Sequence, residues 1–387
     1  ALEAVEVVRP MGARVDLAYY LDTLARAWLG RGDAARAESL FQEGLALSRE
    51  VGDTSVEGFY ILGLGRTAHT AGQLAQAEAA YRAAADRFEI LEIPGEQATC
   101  LAWLGAVWQE MGDAEAARAH TAEAISLLDR AAGVATEYPL QEIWWCRYRV
   151  LAAFPPASVS TAGAAQANDE AWVALDRARA VMLASVANLS DDGLRRNFLN
   201  KVAVNRSIVT EWLHQATRRG LDLAPLTDSL SGPGGGQEQI RRMLDIGLRL
   251  NARRDTGDLA RLIVDQAVEL TGAERAALYS LDEAGQRHVA AQFSVVPTHA
   301  GLEIDPLLDA VSCKRQAVLR YDPSGAPELE QLSRLGVPLV AAGTLVGLLY
   351  ADMAGSFGRF TERDRDLLSV LANQAAVALE NMAWAQT

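Results

Sequence analysis

Residues 101–124 read LAWLGAVWQEMGDAEAARAHTAEA, and the order of large and small residues in this stretch decides how the first half of the chain folds. Leu104 and Trp108 are four residues apart and share one helix face. Gly112-Asp113 ends that helix in a turn. Ala117 falls where two helices cross closely, and Ala124 keeps the same packing layer small. A hairpin built this way carries an apolar face too large to hide alone, so it stacks on a neighbour.

Working outward, the order recurs at an offset of 40. Leu24 and Leu64 precede Leu104, and Ala25 and Gly65 precede Gly105. Trp28 and Ala68 align with Trp108, Gly32 and Gly72 with Gly112, and Ala37 and Ala77 with Ala117. Phe41 and Tyr81 align with Thr121, and Gly44 and Ala84 with Ala124. Three units in phase are the mark of a repeat architecture. Residues 1–12 match the second helix of a unit, so the chain is expected to enter mid-repeat, with further repeats ahead of it. Trp144-Trp145 and Tyr148 carry the frame weakly onward until Pro155-Pro156 and a Ser/Ala/Gly stretch interrupt it. Helices from about Asp169 to Ala187, and from after Ser190 to about Arg219, then read as an atypical capping unit.

The Leu-Gly/Ala, aromatic, Gly-Asp, Ala, aromatic, Ala order resembles the tetratricopeptide repeat (TPR), with a period of 40 rather than 34. The resemblance implies an all-α helical solenoid like those of large bacterial signalling regulators. It places a half repeat at 1–12, repeats at about 13–52, 53–92 and 93–132, and degenerate or capping helices over 137–220. The first helices of such units line a concave groove. By register that groove takes Tyr19, Asp22, Arg26, Phe59, Arg66, His69, Thr99 and Gln109, with Arg26 and Arg66 in one column. A protein or peptide with an acidic tail or helix is the partner expected there.

Residues 221–236 end in Ser231-Gly-Pro-Gly-Gly-Gly236, a flexible linker. From 237 the pattern changes. Two helices, the second capped by Thr256, lead to strands at Arg275–Leu281 and His288–Val295, a short helix at about Pro306–Ser312, and strand-like Ala317–Arg320. An apolar hairpin follows (Val337–Ala341, Leu345–Asp352), then a last helix capped by Thr361 with Asp364 in a capping box. This order gives an antiparallel sheet with helices on one face and a cavity on the other. Gly336-Val-Pro-Leu339, Gly347-Leu-Leu-Tyr-Ala-Asp352, Phe360-Thr-Glu-Arg-Asp364 and the following Leu368 to Asn381 resemble the GAF family of small-molecule sensors. The resemblance covers about Asp255 to Asn381. It implies an α/β (α+β) domain over 237–387 with flanking signalling helices.

The pocket such a domain carries is expected to draw on Tyr279 and Phe293 from central strands, Leu307 and Val311 from the covering helix, and Arg320 and Tyr321 from a strand end. Its ligand is open. Of the cyclic-nucleotide signature only Phe360 and Asp364 are present, and Cys313 is followed by Lys314 rather than the His that accompanies bilin attachment. His288 and His299 stand without a haem motif around them. Leu368, Leu371, Ala375, Ala378 and Met382 are spaced as a heptad seam, as are Ile240, Met243, Gly247 and Leu250, and suit a homodimer helix.

Bulk properties agree with this division. A net charge of −14 argues against a nucleic-acid face, and pairs such as Arg195-Arg196 read as solvated. Three scattered cysteines fit a reducing compartment, and no apolar run is long enough to span a membrane, so a cytoplasmic protein is expected. Gly63-Leu-Gly65-Arg-Thr-Ala68 imitates a dinucleotide fingerprint, but Gly65 occupies a helical repeat column and not a strand-to-helix turn. No nucleophile–base set, metal cluster or phosphate loop stands out. The expected function is a non-catalytic regulatory module of signal transduction, its output domain outside these residues. The alternative is part of an enzyme, such as a nucleotide cyclase or kinase, whose active site the sequence does not display.

Overall fold

In the computed structural model, helices begin on the beat of the sequence repeat. The structure describes residues 2–131, 136–154, 161–187, 189, 191–221, 223, 246, 249–250, 255–282, 284–295 and 304–386. After α1 (Leu2–Met11), α2 (Arg14–Gly30) pairs with α3 (Ala34–Val51). Forty residues on, α4 (Thr54–Thr70) pairs with α5 (Leu74–Ile90), and again α6 (Pro94–Met111) with α7 (Ala114–Arg130). Asp33, Asp53 and Asp113 cap α3, α4 and α7, their carboxylates accepting from backbone N–H groups of the first turn. Gly112, at φ 86°, supplies the left-handed residue that stops α6 immediately before its Asp. The hairpins pack in chain order, and α8 (Leu140–Ala153) lies on α6 and α7.

Their fit depends on aromatic rings seated where a side chain is missing. Phe41 covers Gly63, and Tyr60 covers Gly44; a Cβ at these glycines would lie 2.4 Å and 2.0 Å from the rings. Tyr60 is fixed in addition by donating its hydroxyl to the Ala18 carbonyl. Gly44→Ala should therefore displace Tyr60 and cost about 1–3 kcal/mol. Urea unfolding followed by tryptophan fluorescence reads this, and an unchanged midpoint would contradict the packing.

The chain divides into two compact units, residues 1–181 and 182–387, and α9 (Thr161–Ala187) runs across the division. The second unit contains α10 (Asp192–Lys201) and α11 (Ala203–Arg218), broken at Val202, whose ψ of 112° is extended. These two helices were expected at the end of the repeat stack as one continuous helix. They instead pack within the second unit, because their buried side chains satisfy groups there. The glycine-rich linker expected at 231–236 lies outside the described residues, and the unit boundary is set by which surfaces bury one another. Asp191 caps α10, and Asp255 rather than Thr256 caps the helix that begins at Thr256; Ser190 lies outside the described residues.

The rest of the second unit is α12 (Thr256–Thr271), β1 (Arg275–Leu281), β2 (Arg287–Ser294), α13 (Asp305–Lys314), β3 (Val318–Asp322), β4 (Leu332–Ala341), β5 (Thr344–Ala354) and α14 (Glu362–Gln386). The strands form one antiparallel sheet in the order β2-β1-β5-β4-β3. Helices α12 and α14 cover one face and α13 the other. Thr361 and Asp364 form the capping box of α14: the carboxylate accepts from the Thr361 N–H and hydroxyl.

The seam expected to form a dimer is spent inside this unit. Leu368, Leu371, Ala375 and Ala378 are buried, and Met382 is half-buried. On a single helix the same spacing describes the face that packs on its own sheet. Leu250 is buried as well, while Ile240, Met243 and Gly247 lie outside the described residues. Among the described residues no helix is long and apolar enough to cross a membrane.

Candidate functional site

Strand pairing assigns each side chain to a face of the sheet, since successive residues alternate. Tyr279, Leu348 and Tyr350 meet Leu307, Leu308 and Val311 of α13 in one apolar cluster. The approach is close: a Cβ on Gly336 would lie 2.8 Å from Val311. Two residues beyond Tyr350 on the same face is Asp352. Register continues from it in a row across the sheet, Ser294–Arg275–Asp352–Arg334–Arg320, one residue per strand. The face is thus apolar under α13 and charged at the other end.

Asp352 is 1% exposed and accepts from Arg275 Nε at 2.8 Å and from the Tyr350 hydroxyl at 2.7 Å. Burial pushes its carboxyl above the usual range, against the pull of Arg275 and Tyr350. Arg334 reaches Asp322 at 3.4 Å. It also stands directly opposite Arg320, a like-charged cross-strand pair that is unfavourable without a counter-charge. Arg320 is exposed and makes no ion pair among the described residues.

Of the residues expected in the pocket, Tyr279, Leu307 and Val311 come together, and Arg320 shares their face at its charged end. Phe293 and Tyr321 do not. Phe293 pairs with Ala276 on the opposite face, where Lys201 lies over its ring. Tyr321 donates its hydroxyl to the Phe360 carbonyl on that same opposite face. Adjacent strand residues such as Arg320 and Tyr321 point opposite ways, so the two could not both line one pocket. His288 pairs with Asp282 at the exposed hairpin, and His299 lies outside the described residues. Among the described residues no group of His, Cys, Asp or Glu could hold a metal ion.

In the helical unit, Arg26 and Arg66 do converge, but on the chain's own Tyr138. The two guanidiniums lie 5.3 Å and 5.5 Å from its ring centre, and Trp103 meets it edge-on at 5.0 Å. Asp22 holds Arg26 at 2.8 Å, Glu137 adds a contact at 3.7 Å, and Glu142 lies 3.7 Å from Arg66. Glu96 accepts from the Glu137 backbone N–H at 2.6 Å. The segment Glu137–Pro139 therefore lies on the face made by α2, α4 and α6. The other residues expected there are dispersed in role. Tyr19 is exposed, Phe59 packs on Phe88, and His69 joins Tyr81 and Glu110. Thr99 is buried and bonds its own helix, while Gln109 Oε1 is buried without a partner.

Burial raises the carboxyls of Asp22, Glu96 and Glu142. The folded chain then keeps these protons to higher pH than the unfolded chain does. Their contribution to stability is greatest below the unfolded carboxyl range and falls as pH rises through the folded values. Glu96→Gln with Glu142→Gln should flatten this descent on the alkaline side of the ordinary carboxyl range, about pH 4. Thermal melts on that side of the range measure it, and an unaltered pH slope would contradict the assignment.

The two helices α10 and α11 form a third locus that the sequence did not disclose. Arg195 and Arg196 were expected to be solvated, yet they are 3% and 4% exposed. Arg196 donates to the Thr271 carbonyl at 3.0 Å, the Arg359 carbonyl at 2.7 Å and the Asp364 carboxylate at 2.7 Å. Asn197 donates to the Glu269 carbonyl and Asn200 to the Gly272 carbonyl. The C-terminal carbonyls of α12, which have no partner in their own helix, are thus met by another helix. Gly193 permits this approach, because a Cβ there would lie 2.1 Å from the Leu270 oxygen. Arg206 of α11 adds an ion pair to Glu274 at 2.6 Å.

The sheet order, the helices on both faces and a face that is apolar at one end and charged at the other define a C-terminal α/β domain on a five-stranded antiparallel sheet. Residues 253–380 match the family model of the GAF domain, and this part of the chain is a GAF domain. No curated protein matches the chain. Among solved structures it is similar to the GAF domain of an Acinetobacter phosphoenolpyruvate-protein phosphotransferase, at 18% identity over 39% of this chain and 97% of that one, with TM-score 0.32. A GAF domain/HD domain protein of Geobacter sulfurreducens is similar at 19% identity over 35% and 99%, TM-score 0.30. So is free methionine-R-sulfoxide reductase of Neisseria meningitidis, solved with its substrate, at 19% over 39% and 96%, TM-score 0.32.

Proposed function

We propose that this chain is a non-catalytic regulatory module of signal transduction, in which the GAF domain senses a small anionic molecule and a TPR-type helical unit engages a protein partner. The observation that carries the sensing half is the row Arg275–Asp352–Arg334–Arg320 beside the apolar cluster of Tyr279, Leu307 and Leu348. A ligand with a carboxylate or phosphate at one end and an apolar body suits such a face. It would also relieve the Arg334–Arg320 juxtaposition. The helical half rests on three hairpins in phase and on exposed Val15 and Tyr19, four residues apart on α2. Val370 and Val377, seven residues apart on α14, are exposed apolar side chains open to self-association.

Native mass spectrometry of the purified chain tests the sensing half, followed by titration of any recovered molecule into Arg320→Ala. A charge-assisted contact is worth about 1.5–3 kcal/mol, so affinity should fall roughly ten- to hundredfold. A ligand without an anionic group, or equal affinity in the variant, would overturn the reading.

A further inference from the structure

Of the 36 cationic residues in the chain only two are lysines, Lys201 and Lys314. Arginine serves nearly everywhere a positive charge is needed, so a lysine at a packed joint is a choice with chemical content: it can lose its proton, and arginine does not. Lys314 is exposed at the end of α13. Lys201 is the last residue of α10. Its Nζ lies 3.4 Å from the Val268 carbonyl of α12 and 5.2 Å from the centre of the Phe293 ring, and it is partly open to solvent.

We propose that Lys201 is an acylation site, accepting a small neutral acyl group such as acetyl from an acyl phosphate, and that the modification releases α10 from the end of α12. The neutral amine attacks the acyl carbon. A C–N bond forms, the C–O bond to phosphate breaks, phosphate leaves with the electron pair, and the surplus N–H proton passes to water. Nothing is oxidised or reduced.

Three observations support this. Burial lowers the ammonium to a pKa of about 8, against the opposing pull of Glu269 and Asp265 on α12. Those two carboxylates also select the adduct: an anionic one would be repelled, and a neutral acyl group would not. Finally, the charge is in use. It faces the carbonyl end of α12, where the helix dipole favours a cation, and sits over an aromatic ring. Acylation removes both interactions and adds bulk at the joint.

The test is incubation of the full chain with acetyl phosphate at about pH 7.5, with timed peptide-level mass spectrometry. Lys314 is the internal reference. At that pH roughly a quarter of Lys201 is neutral, against about a thousandth of an ordinary lysine. The lower nucleophilicity of a weaker base offsets part of this, leaving Lys201 faster by about tenfold. Lys314 reacting as fast or faster would overturn the assignment. Hydrogen–deuterium exchange reads the second half. The acetylated chain and Lys201→Gln should exchange faster in α10 and the end of α12, while Lys201→Arg stays protected. Unchanged exchange in the acetylated chain would defeat the release.

Discussion

Arg196→Met is expected to cost the second unit about 3–5 kcal/mol, because it leaves a buried carboxylate without its counter-ion. Arg196 and Asp364 have side chains 5% exposed each, with 2.7 Å between them. Methionine keeps most of the apolar stem and removes every donor. Asp364 would stay buried, and the Thr271 and Arg359 carbonyls would lose the donors they now have. Arg196→Lys should recover only part of the loss, since one ammonium cannot serve three acceptors with the geometry of a planar fork. The double variant with Asp364→Asn should cost less than the sum of the two single changes, which is the sign of a direct pair. Urea unfolding gives the energies, and exchange protection at the start of α14 and the end of α12 shows where they act. Loss of stability with protection unchanged at both helix ends would contradict the geometry.

The second large effect is expected at Tyr138, and two variants should move in opposite directions. Tyr138→Ala removes a buried ring held between Trp103 and two guanidiniums, for about 3–5 kcal/mol. Tyr138→Phe keeps the ring and removes a hydroxyl that is buried without a hydrogen-bond partner. That variant should be as stable as the parent or more so, by up to about 1 kcal/mol. The pair also reads whether Glu137–Pro139 occupies the groove in place of a partner. A peptide carrying Glu-Tyr-Pro should bind Tyr138→Ala and not the parent. Equal binding to both would mean that this segment is core and nothing more.

The repeat was legible because its determinants are local. Gly-Asp turns and i, i+4 pairs depend on neighbours in sequence, so helix starts fell at 14, 54 and 94 as the 40-residue columns require. The strands and their hairpins were legible for the same reason. Face assignment was harder. Phe293 was nominated for the pocket on its aromatic character, and only its pairing with Ala276 shows that it faces away. The α14 seam misled because a heptad spacing is common to coiled coils and to helices packed on a sheet. Arg196 was out of reach of any local reading: its carboxylate partner lies 168 residues further on. Tyr138 likewise sits in a loop with no periodicity to announce its burial.

That same separation between Arg196 and Asp364 has a consequence in time. At a synthesis rate of about 5–20 residues per second, roughly 10–30 s pass between the emergence of α10 and that of the residue it must pair with. During that interval Arg196 lacks its carboxylate partner and the Arg359 carbonyl, and the second unit cannot be completed. Long-range closure of this kind also slows refolding of a finished chain. A nascent-chain series stalled before and after residue 364 should therefore gain protease resistance in α10 only once the start of α14 has been made.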